Sequence, residues 1–334
     1  GMTIDIGFAE LQLDDLQLAF IDVPGHERFI KNMLAGSSTI DAALLVVAAD
    51  DSVMPQTREH LAILELLGVR DGVIAVTKSD LRDPSWLELV REEIAELVAG
   101  TGLEHARIVH TAAPPDGEAS GVAELQPALG EVAARVEATS SDDVFRLCVD
   151  RAFTVAGRGT VVTGTVVSGK IAAGDPVQWW PSGRIVQVRA LQNHGRDVDD
   201  VQRGQRAAVN LADVRHDAIC RGDVLSTPGF LKASDCLSVE LQVLDVSPWP
   251  LKHRGRYTLH LGTEATPASL YLYESNTLAP GESGLGQLQC QSAVATVWGQ
   301  PFVLRQESPL ATLGGGRVLQ PAAVPLRRRD RSRT

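Results

Sequence analysis

The sequence predicts an α/β domain followed by two blocks made almost entirely of β-strands. Strand-like and helix-like segments alternate up to about residue 138, which is typical of a parallel sheet covered by helices on both faces. A polar stretch over 140–143 then marks a linker, and the strands beyond it are short and punctuated by glycine. The resulting domains are 1–140, 141–230 and 231–325, with a basic tail over 326–334.

In the first domain, the pattern of apolar residues predicts each strand and helix in turn. The strands over 3–13 and 16–22 are joined by an Asp14-Asp15 turn, and the continuous apolar run over 42–49 is typical of a strand buried on both faces. Residues 56–67 are predicted to form a helix with Leu61, Ile63, Leu64 and Leu67 on one face. Further strands are predicted over 72–77 and 106–111, and further helices over 85–98 and 122–136; Ser85 and Glu88 have the spacing of a capping box.

The two β-rich blocks are predicted from short runs separated by turn residues. Ala156-Gly157-Arg158-Gly159 has the freedom for positive φ that a hairpin turn needs, and the glycines at 314–316 also predict a turn. The predicted strands are 145–154, 160–168, 176–180, 184–192 and 206–211 in the first block, and 238–244, 257–261, 268–273, 286–297 and 301–305 in the second.

The composition argues against a membrane-spanning protein and against a secreted, disulfide-bonded one. No run approaches the roughly 18 apolar residues of a membrane span, and the first residues lack the pattern of a secretory signal. The four cysteines are far apart and form no C-x-x-C, so we expect buried free thiols in a reducing cytoplasm.

Charge is distributed unevenly along the chain. The net charge is −11, of which residues 1–140 contribute −15 and the remainder +4. Because an acidic surface repels nucleic acid, any RNA contact is expected mainly in the later part of the chain or on local patches.

The tetrapeptide T-K-S-D over 77–80 predicts a guanine site at the end of a strand. Guanine presents two adjacent N–H donors, which one carboxylate can accept together and which adenine does not offer. Charge-assisted hydrogen bonds contribute about 1.5–3 kcal/mol each, so Asp80 alone can set base specificity. Lys78 has an aliphatic stem that can lie along the base, and Thr77 begins the motif.

The sequence D-V-P-G-H over 22–26 predicts the phosphate side of the same site. Asp22 ends a strand where a hydrated Mg²⁺ would need only one carboxylate, because Mg²⁺ keeps several waters. Gly25 lets the backbone N–H approach a terminal phosphate, and His26 is placed to orient the attacking water. Thr3 is a candidate hydroxyl ligand of the Mg²⁺.

The last strand of the first domain supplies a weaker candidate, and one expected motif is missing. Thr111-Ala112-Ala113 follows this strand and would offer backbone N–H groups to the guanine carbonyl, a prediction that rests on position alone. No G-x-x-x-x-G-K-[ST] phosphate loop occurs anywhere in the sequence.

Together these motifs resemble a known family. D-V-P-G-H-E-R-F-I-K-N-M-L-A-G over 22–36, A-L-L-V-V-A-A-D-D-S-V-M-P-Q-T-R-E-H over 43–60 and T-K-S-D resemble translational GTPases of the elongation factor Tu type. The segments 1–9, 145–155 and 162–165 are similar to the selenocysteine-specific branch of bacterial elongation factors.

The resemblance implies an α/β P-loop-type GTPase domain, incomplete because the phosphate loop is missing, followed by two small antiparallel β-barrels. It implies GTP or GDP and Mg²⁺ as ligands, with His26 orienting the water, Thr3 and Asp22 serving Mg²⁺, and Lys78 and Asp80 recognising guanine. The implied activity is hydrolysis of GTP during delivery of selenocysteyl-tRNA to the ribosome.

In this resemblance the second domain holds the aminoacyl group, and Asp150, Arg151 and Arg206 match the positions of a basic pocket. A selenol is anionic at neutral pH, whereas serine is neutral. Guanidinium groups would therefore favour the selenolate and reject seryl-tRNA, which would leave the cations unpaired.

The sequence also departs from the family pattern. The phosphate loop with its strand is missing, as is the winged-helix region that contacts a messenger-RNA hairpin, so an N- and C-terminally truncated chain is expected to bind GTP weakly, if at all. Loss of a central strand is expected to leave the sheet unpaired. No membrane contact is expected, and the chain is expected to be a monomer.

Two alternatives stay open at this point. One is another elongation factor Tu-like GTPase, in which Arg206 would have no special role. The other is a non-catalytic fragment whose barrels hold aminoacyl-tRNA without turning over nucleotide.

Overall fold

A computed structural model describes residues 6–13, 16–25, 30, 33–34, 40–136, 144–155, 157 and 159–326. They form two compact units. The first holds the described residues of 6–33 and 40–136, and the second holds those of 144–326. The predicted linker over 140–143, the hairpin residues Ala156 and Arg158, and the basic tail beyond Leu326 lie outside the described residues.

The first unit contains a hairpin, a parallel sheet and three helices. Its strands are β1 (Gly7–Leu13), β2 (Leu16–Asp22), β3 (Ala43–Ala48), β4 (Gly72–Thr77) and β5 (Arg107–His110). Strands β1 and β2 pair antiparallel, and β3, β4 and β5 form a parallel sheet in that order. The helices are α1 (Pro55–Leu67), α2 (Pro84–Val98) and α3 (Val122–Arg135), and Ser79–Leu81 form a short 3-10 turn.

Helices cover both faces of the parallel sheet, as the alternating pattern predicts. On one face, Val47 and Ile74 pack with Leu64 of α1 and Ile94 of α2. On the other face, Val73 and Val109 pack with Ala128 and Val132 of α3. Because the three strands are parallel, their carboxyl ends lie at the same edge of the sheet, where α/β sheets bind ligands.

Strand β3 departs from the prediction of burial on both faces. Among the described residues it pairs with β4 only, and Val46 in its middle is 55% exposed. The expected open sheet edge is therefore present in the described part of the first unit, which consists of a two-stranded and a three-stranded piece.

The capping box predicted from Ser85 and Glu88 is wrong. Helix α2 begins one residue earlier, at Pro84, and Asp83 is its N-cap: Asp83 Oδ1 accepts the Trp86 N–H at 3.0 Å and the Ser85 hydroxyl at 2.5 Å. Proline at the first helical position lacks the N–H that would need a partner, so it fixes the helix start.

In the second unit, the first β-rich block is a closed barrel. Six strands follow one another in the order β10-β13-β7-β6-β14-β9, and β9 pairs with β10 to close the ring. The strands of this block are β6 (Arg146–Val155), β7 (Gly159–Ser168), β8 (Lys170–Ala172), β9 (Pro176–Trp180), β10 (Arg184–Asn193), β11 (Arg196–Val198), β12 (Asp200–Gln202), β13 (Arg206–Leu211) and β14 (Val224–Ser226).

The second block closes in the order β15-β20-β18-β17-β21-β22. The prediction of a turn at glycines 314–316 is wrong, because these residues lie inside strand β22 and pair with β15. Glycine is needed at 314, since a Cβ there would come within 2.2 Å of the Gln242 carbonyl oxygen. The strands of this block are β15 (Ala233–Val243), β16 (Leu251–Lys252), β17 (Arg256–Leu261), β18 (Glu264–Leu272), β19 (Thr277–Leu278), β20 (Ser283–Ala295), β21 (Pro301–Glu307) and β22 (Leu310–Gln320).

The two barrels belong to one compact unit and contact each other directly. Arg146 Nη1 of the first barrel donates to Gln300 Oε1 of the second at 2.9 Å, and Cys148 and Leu231 pack with Val297. The four cysteines are free, as predicted, but Cys220 is exposed rather than buried. Among the described residues, every helix is too short or too polar to cross a membrane.

Candidate functional site

The T-K-S-D motif lies at the carboxyl edge of the parallel sheet, beside the end of the neighbouring strand. Ser79 donates to the Thr111 carbonyl twice, through its backbone N–H at 3.2 Å and its hydroxyl at 3.0 Å. The Ala49 N–H donates to the Thr77 carbonyl at 2.8 Å. Three strand ends are thus joined into one edge, and the structure brings the residues at 77–80 next to Thr111 as the sequence predicts.

Lys78 is held by a carboxylate that sequence reasoning missed. Its Nζ lies 2.7 Å and 3.0 Å from the two carboxylate oxygens of Asp50, in the loop after β3. This hydrogen-bonded ion pair raises the pKa of Lys78 and lowers the pKa of Asp50. Lys78 also has a left-handed backbone, with φ of 56°, so its side chain leaves the strand at a turn.

A second set of contacts fixes the Asp50 loop to helix α2. Arg82 Nη2 donates to the Asp50 carbonyl at 3.2 Å, and its guanidinium lies 5.3 Å from the centre of the Trp86 ring. Trp86 Nε1 donates to the Ala49 carbonyl at 2.8 Å. The loop that positions Lys78 is therefore tied to both its own strand and the next helix.

Asp80 remains accessible. It lies in the 3-10 turn after β4 and is exposed, while Thr77 is half-buried at the strand end. An exposed carboxylate on a backbone fixed by the Ser79–Thr111 contacts fits the two adjacent donors of a guanine edge.

Thr111 and Ala112 are not available in the way the sequence predicts. The Thr111 N–H donates to the Val76 carbonyl at 2.8 Å, and the Ala112 N–H donates to the Ser120 carbonyl at 3.1 Å. In this conformation, the two N–H groups that the sequence assigns to the guanine carbonyl instead donate hydrogen bonds to backbone carbonyls. Nucleotide contact there would require the Ala112–Ser120 bridge to open, whereas Ala113 is exposed.

The phosphate side of the site is only partly within the described residues. Asp22 is exposed at the last position of β2, three residues before the exposed Gly25. One exposed carboxylate suits a Mg²⁺ ion that keeps its waters. Thr3 and His26 lie outside the described residues. Within the described ranges, no group of three or more acidic, histidine or cysteine side chains forms a closed metal site.

In the first barrel, a β-bulge creates the second candidate site. Strands β6 and β7 shift register between Val149, which pairs with Gly164, and Arg151, which pairs with Thr163. Asp150 is the extra residue of the bulge. Because a bulge re-aims neighbouring side chains, it explains how Asp150 and Arg151 both lie beside Thr163.

Arg206, on the adjacent strand β13, completes this cluster. Its Nη2 lies 3.0 Å and 2.9 Å from the two oxygens of Asp150 and 3.3 Å from Thr163 Oγ1, whose hydroxyl donates to Asp150 at 2.6 Å. The side chains of Arg206 and Asp150 are only 19% and 13% exposed. Burial lowers the pKa of Arg206, with Arg151 acting in the same direction and Asp150 opposing it.

The cluster combines one acidic side chain, Asp150, with two basic ones, Arg206 and the exposed Arg151. The structure thus brings together all three residues that the resemblance assigns to the pocket. Thr163, which bridges two of them, was missed, although it lies in the V-T-G-T segment that carried the resemblance.

Comparison with known proteins finds two family models along the chain. The family model "Elongation factor Tu GTP binding domain" matches residues 1–202, and the model "Selenocysteine-specific elongation factor, beta-barrel domain" matches residues 236–324.

Two relatives and a solved structure are similar to this chain over nearly its whole length. A selenocysteine-specific elongation factor from Desulfomicrobium baculatum is 42% identical over 99% of this chain and 52% of its own length. The protein of the same name from Escherichia coli K12 is 38% identical over 96% and 50%. The crystal structure of bacterial selenocysteine-specific elongation factor EF-Sec superposes with a TM-score of 0.83 at 29% identity, covering 95% of this chain and 52% of that one. The chain spans about half the length of the curated relatives it matches.

Proposed function

The chain belongs to the family of the elongation factor Tu GTP-binding domain, whose model matches residues 1–202, and from this we propose that it acts in GTP-dependent delivery of selenocysteyl-tRNA to the ribosome. The observation that carries the selenocysteine part is the basic cluster of the first barrel, where Asp150 pairs with Arg206 and Arg151 lies at the same β-bulge. The proposal places the chain in the cytoplasm, where ribosomes work.

The cluster favours a selenolate for electrostatic reasons. Asp150 and Thr163 hold Arg206 in a fixed orientation, so its guanidinium needs no reorganisation when an anion arrives. Arg151 supplies a second positive charge beside Arg206. An anionic selenolate would be attracted by these guanidinium groups, whereas a neutral seryl hydroxyl would not be.

In the first unit, Asp80 recognises guanine, and Lys78 contributes its aliphatic stem once Asp50 has fixed the ammonium group. Asp22 would hold Mg²⁺ through its waters, with Thr3 as a hydroxyl ligand, and His26 would orient the hydrolytic water. Bound Mg²⁺ supplies charge neutralisation at the phosphates. Gly25 offers a backbone N–H to the same phosphates.

The nucleotide part is tested by saturation-transfer NMR with millimolar GTP, GDP and ATP on this chain. The absence of a phosphate-loop motif predicts weak binding of GTP and GDP and no signal from ATP. Asp80→Asn should abolish the guanine signals, whereas the exposed Asp116→Asn should not change them. Equal signals from ATP, or tight binding that survives Asp80→Asn, would contradict the assignment.

The aminoacyl part is tested by protection of the ester bond in selenocysteyl-tRNA and seryl-tRNA against hydrolysis, with and without GTP. Arg151→Gln should reduce the preference for selenocysteyl-tRNA by about 10- to 100-fold, the equivalent of one charge-assisted hydrogen bond. Arg196→Gln, in the exposed strand β11, is the matched control. An unchanged preference would favour another elongation factor Tu-like GTPase, and protection independent of GTP would favour a non-catalytic tRNA-binding module.

A further inference from the structure

We infer that Asp50 is a positioning residue for recognition of the nucleobase, which orders the side chain of Lys78 before any nucleotide is present. This role rests on the guanine site of the proposed function, and it adds to that site a residue that acts through Lys78 alone. Lys78 Nζ lies 3.0 Å from Asp50 Oδ1 and 2.7 Å from Asp50 Oδ2. Both oxygens of one carboxylate therefore hold one ammonium group at the edge of the sheet where the T-K-S-D motif lies.

The ion pair is too exposed to be explained by its effect on stability. The side chains of Lys78 and Asp50 are 49% and 26% exposed, and exposed ion pairs contribute little to the free energy of unfolding because water screens them. The pair does restrict a long side chain, which would otherwise populate many rotamers. With its ammonium group fixed at one end and its Cα at the other, the stem of Lys78 keeps few conformations.

The loop that carries Asp50 is itself held on both sides. The Ala49 N–H donates to the Thr77 carbonyl at 2.8 Å, and Trp86 Nε1 donates to the Ala49 carbonyl at 2.8 Å. Arg82 Nη2 donates to the Asp50 carbonyl at 3.2 Å. A carboxylate on a backbone with these contacts keeps its place when a base arrives, so the lysine that it holds loses little further freedom on binding.

The backbone of Lys78 is an independent sign of function. Its φ is 56°, a left-handed conformation that is uncommon for residues other than glycine, asparagine and aspartate. The turn is closed by the Leu81 N–H, which donates to the Lys78 carbonyl at 3.1 Å. Backbone strain of this kind concentrates at ligand clamps. An exposed lysine gains little from packing, so the placement of its stem and charge is the remaining reason for its presence here.

Charge alone predicts the opposite effect of Asp50 on nucleotide binding. A nucleotide is a polyanion, and residues 1–140 carry a net charge of −15, so each carboxylate near the site repels it. If Asp50 acted only through its charge, its removal would strengthen binding. If Asp50 orders Lys78, its removal should weaken binding about threefold to tenfold, because a long side chain must then be ordered when the nucleotide binds.

The test is a saturation-transfer NMR titration with GTP on the full chain, comparing Asp50→Asn with Asp51→Asn. Asp51 is the matched control, because it is exposed and close enough to raise the pKa of Lys78, yet its side chain has no hydrogen-bond or ion-pair partner among the described residues. Asp50→Asn should weaken GTP binding about threefold to tenfold. Asp51→Asn should leave GTP binding unchanged or slightly stronger, since it removes one repelling charge.

A double-mutant cycle separates positioning of the lysine from general support of the loop. Lys78→Met keeps an unbranched side chain that can lie along the base, but it removes the ammonium group that Asp50 holds. In the Lys78→Met background, Asp50→Asn should therefore change GTP binding by less than about twofold. Trp86→Phe removes the indole N–H that holds the loop and should cause a smaller loss than Asp50→Asn.

A second measurement needs no nucleotide. The pH titration of the Lys78 Cε methylene group, followed by heteronuclear NMR and assigned by its loss in Lys78→Met, reports the pKa of the ammonium group. The hydrogen bond with Asp50 raises this pKa, so Asp50→Asn should lower it. Asp51→Asn should lower it less, because Asp51 acts through its charge alone. Far-UV circular dichroism and the melting temperature of each variant report folding.

Three results would overturn the inference: unchanged or stronger GTP binding by Asp50→Asn, an equal loss in the wild-type and Lys78→Met backgrounds, or a pKa of Lys78 that does not respond to Asp50→Asn. Any of these, together with a guanine signal from the wild type, would contradict the role of Asp50 alone. No guanine signal from the wild type would contradict the proposed nucleotide site and the role of Asp50 with it, and a pKa of Lys78 that still responded to Asp50→Asn would then report only a surface ion pair.

Discussion

The two compact units differ in whether the outer strands of their β-sheets are hydrogen-bonded on both sides. In each barrel of the second unit, six strands form a closed ring, so every strand has two neighbours and no edge is open. In the first unit, the described part of the parallel sheet has three strands, and β3 is bonded on one side only. Closure removes unpaired N–H and C=O groups, whereas an open edge leaves them to water.

From this difference we expect the parts of the molecule that are most stable to differ from the parts that carry the nucleotide site. Each barrel buries its own core inside a closed sheet, and the cluster of Asp150 and Arg206 lies on strands of the first barrel. The nucleotide edge of the first unit instead depends on contacts between loops, such as Lys78 with Asp50 and Ser79 with Thr111. Loops held by a few polar contacts open more readily than packed strands.

The largest expected effect is a core truncation that acts on the second unit alone. Phe302→Ala empties a fully buried site in the last barrel and should cost about 3–5 kcal/mol of unfolding free energy. Hydrogen-exchange mass spectrometry should show the loss of protection in peptides from β15–β22 and none in β3–β5. Leu310→Ala, at a half-exposed position, is the control. An equal loss in β3–β5 would mean that the two units unfold as one.

A pair of adjacent valines tests whether one face of β3 is uncovered, since neighbouring strand residues point to opposite faces of the sheet. Val47 is buried and Val46 is exposed, so Val47→Ala should cost about 2 kcal/mol and Val46→Ala less than about 0.5 kcal/mol. Urea unfolding of the two variants gives both values. Equal costs would mean that the exposed face of β3 is covered in solution, which would remove the contrast between the units.

Acid should weaken the first unit through His60. Burial lowers the pKa of this histidine below its ordinary 6.5, and its Nε2 has no hydrogen-bond partner among the described residues. The unfolded chain therefore takes up the proton more readily than the folded one. The contribution of His60 is complete above pH 6.5 and is lost as the pH falls, by at most about 1.4 kcal/mol per pH unit.

The measurement is thermal melting of the first unit between pH 7.5 and pH 5. His60→Gln should flatten the pH dependence, whereas His105→Gln, at an exposed site, should leave it as in the wild type. A pH dependence that survives His60→Gln would assign it to another group.

The smallest expected effect concerns Asp223 in the first barrel. Burial raises the pKa of this carboxyl, although Trp179 Nε1 and the Cys220 N–H both donate to its Oδ2, at 2.7 Å and 3.0 Å. The folded chain therefore ionises at higher pH than the unfolded one, so stability declines as the pH rises from about 3.8 through the folded value.

Asp223→Asn keeps an oxygen acceptor for both donors and removes the buried charge. The variant should melt slightly above the wild type at pH 7, with the difference shrinking towards pH 4. A variant that melts well below the wild type at pH 7 would show that the charge itself is needed by the indole and amide donors.

Much of the molecule follows from local sequence pattern. Periodicity alone predicts the strand over 72–77, the strand over 176–180 and the helix over 122–136 to within a residue, because each is bounded by turn residues and has one dominant period. The T-K-S-D and D-V-P-G-H motifs predict the nucleotide edge from residue type and spacing, whereas the pocket of Asp150, Arg151 and Arg206 is predicted from the family resemblance.

The tertiary structure decided what depends on neighbours distant in sequence. Glycines 314–316 form a strand because the backbone of β15 lies against them, and the Asp150 bulge exists only relative to β7. The Asp50–Lys78 pair joins loops 28 residues apart, and Ser120 takes the Ala112 hydrogen that the sequence assigned to a nucleotide. Sequence fixes local conformation and residue chemistry, whereas hydrogen-bond partners and burial are set by which segments meet when the chain folds.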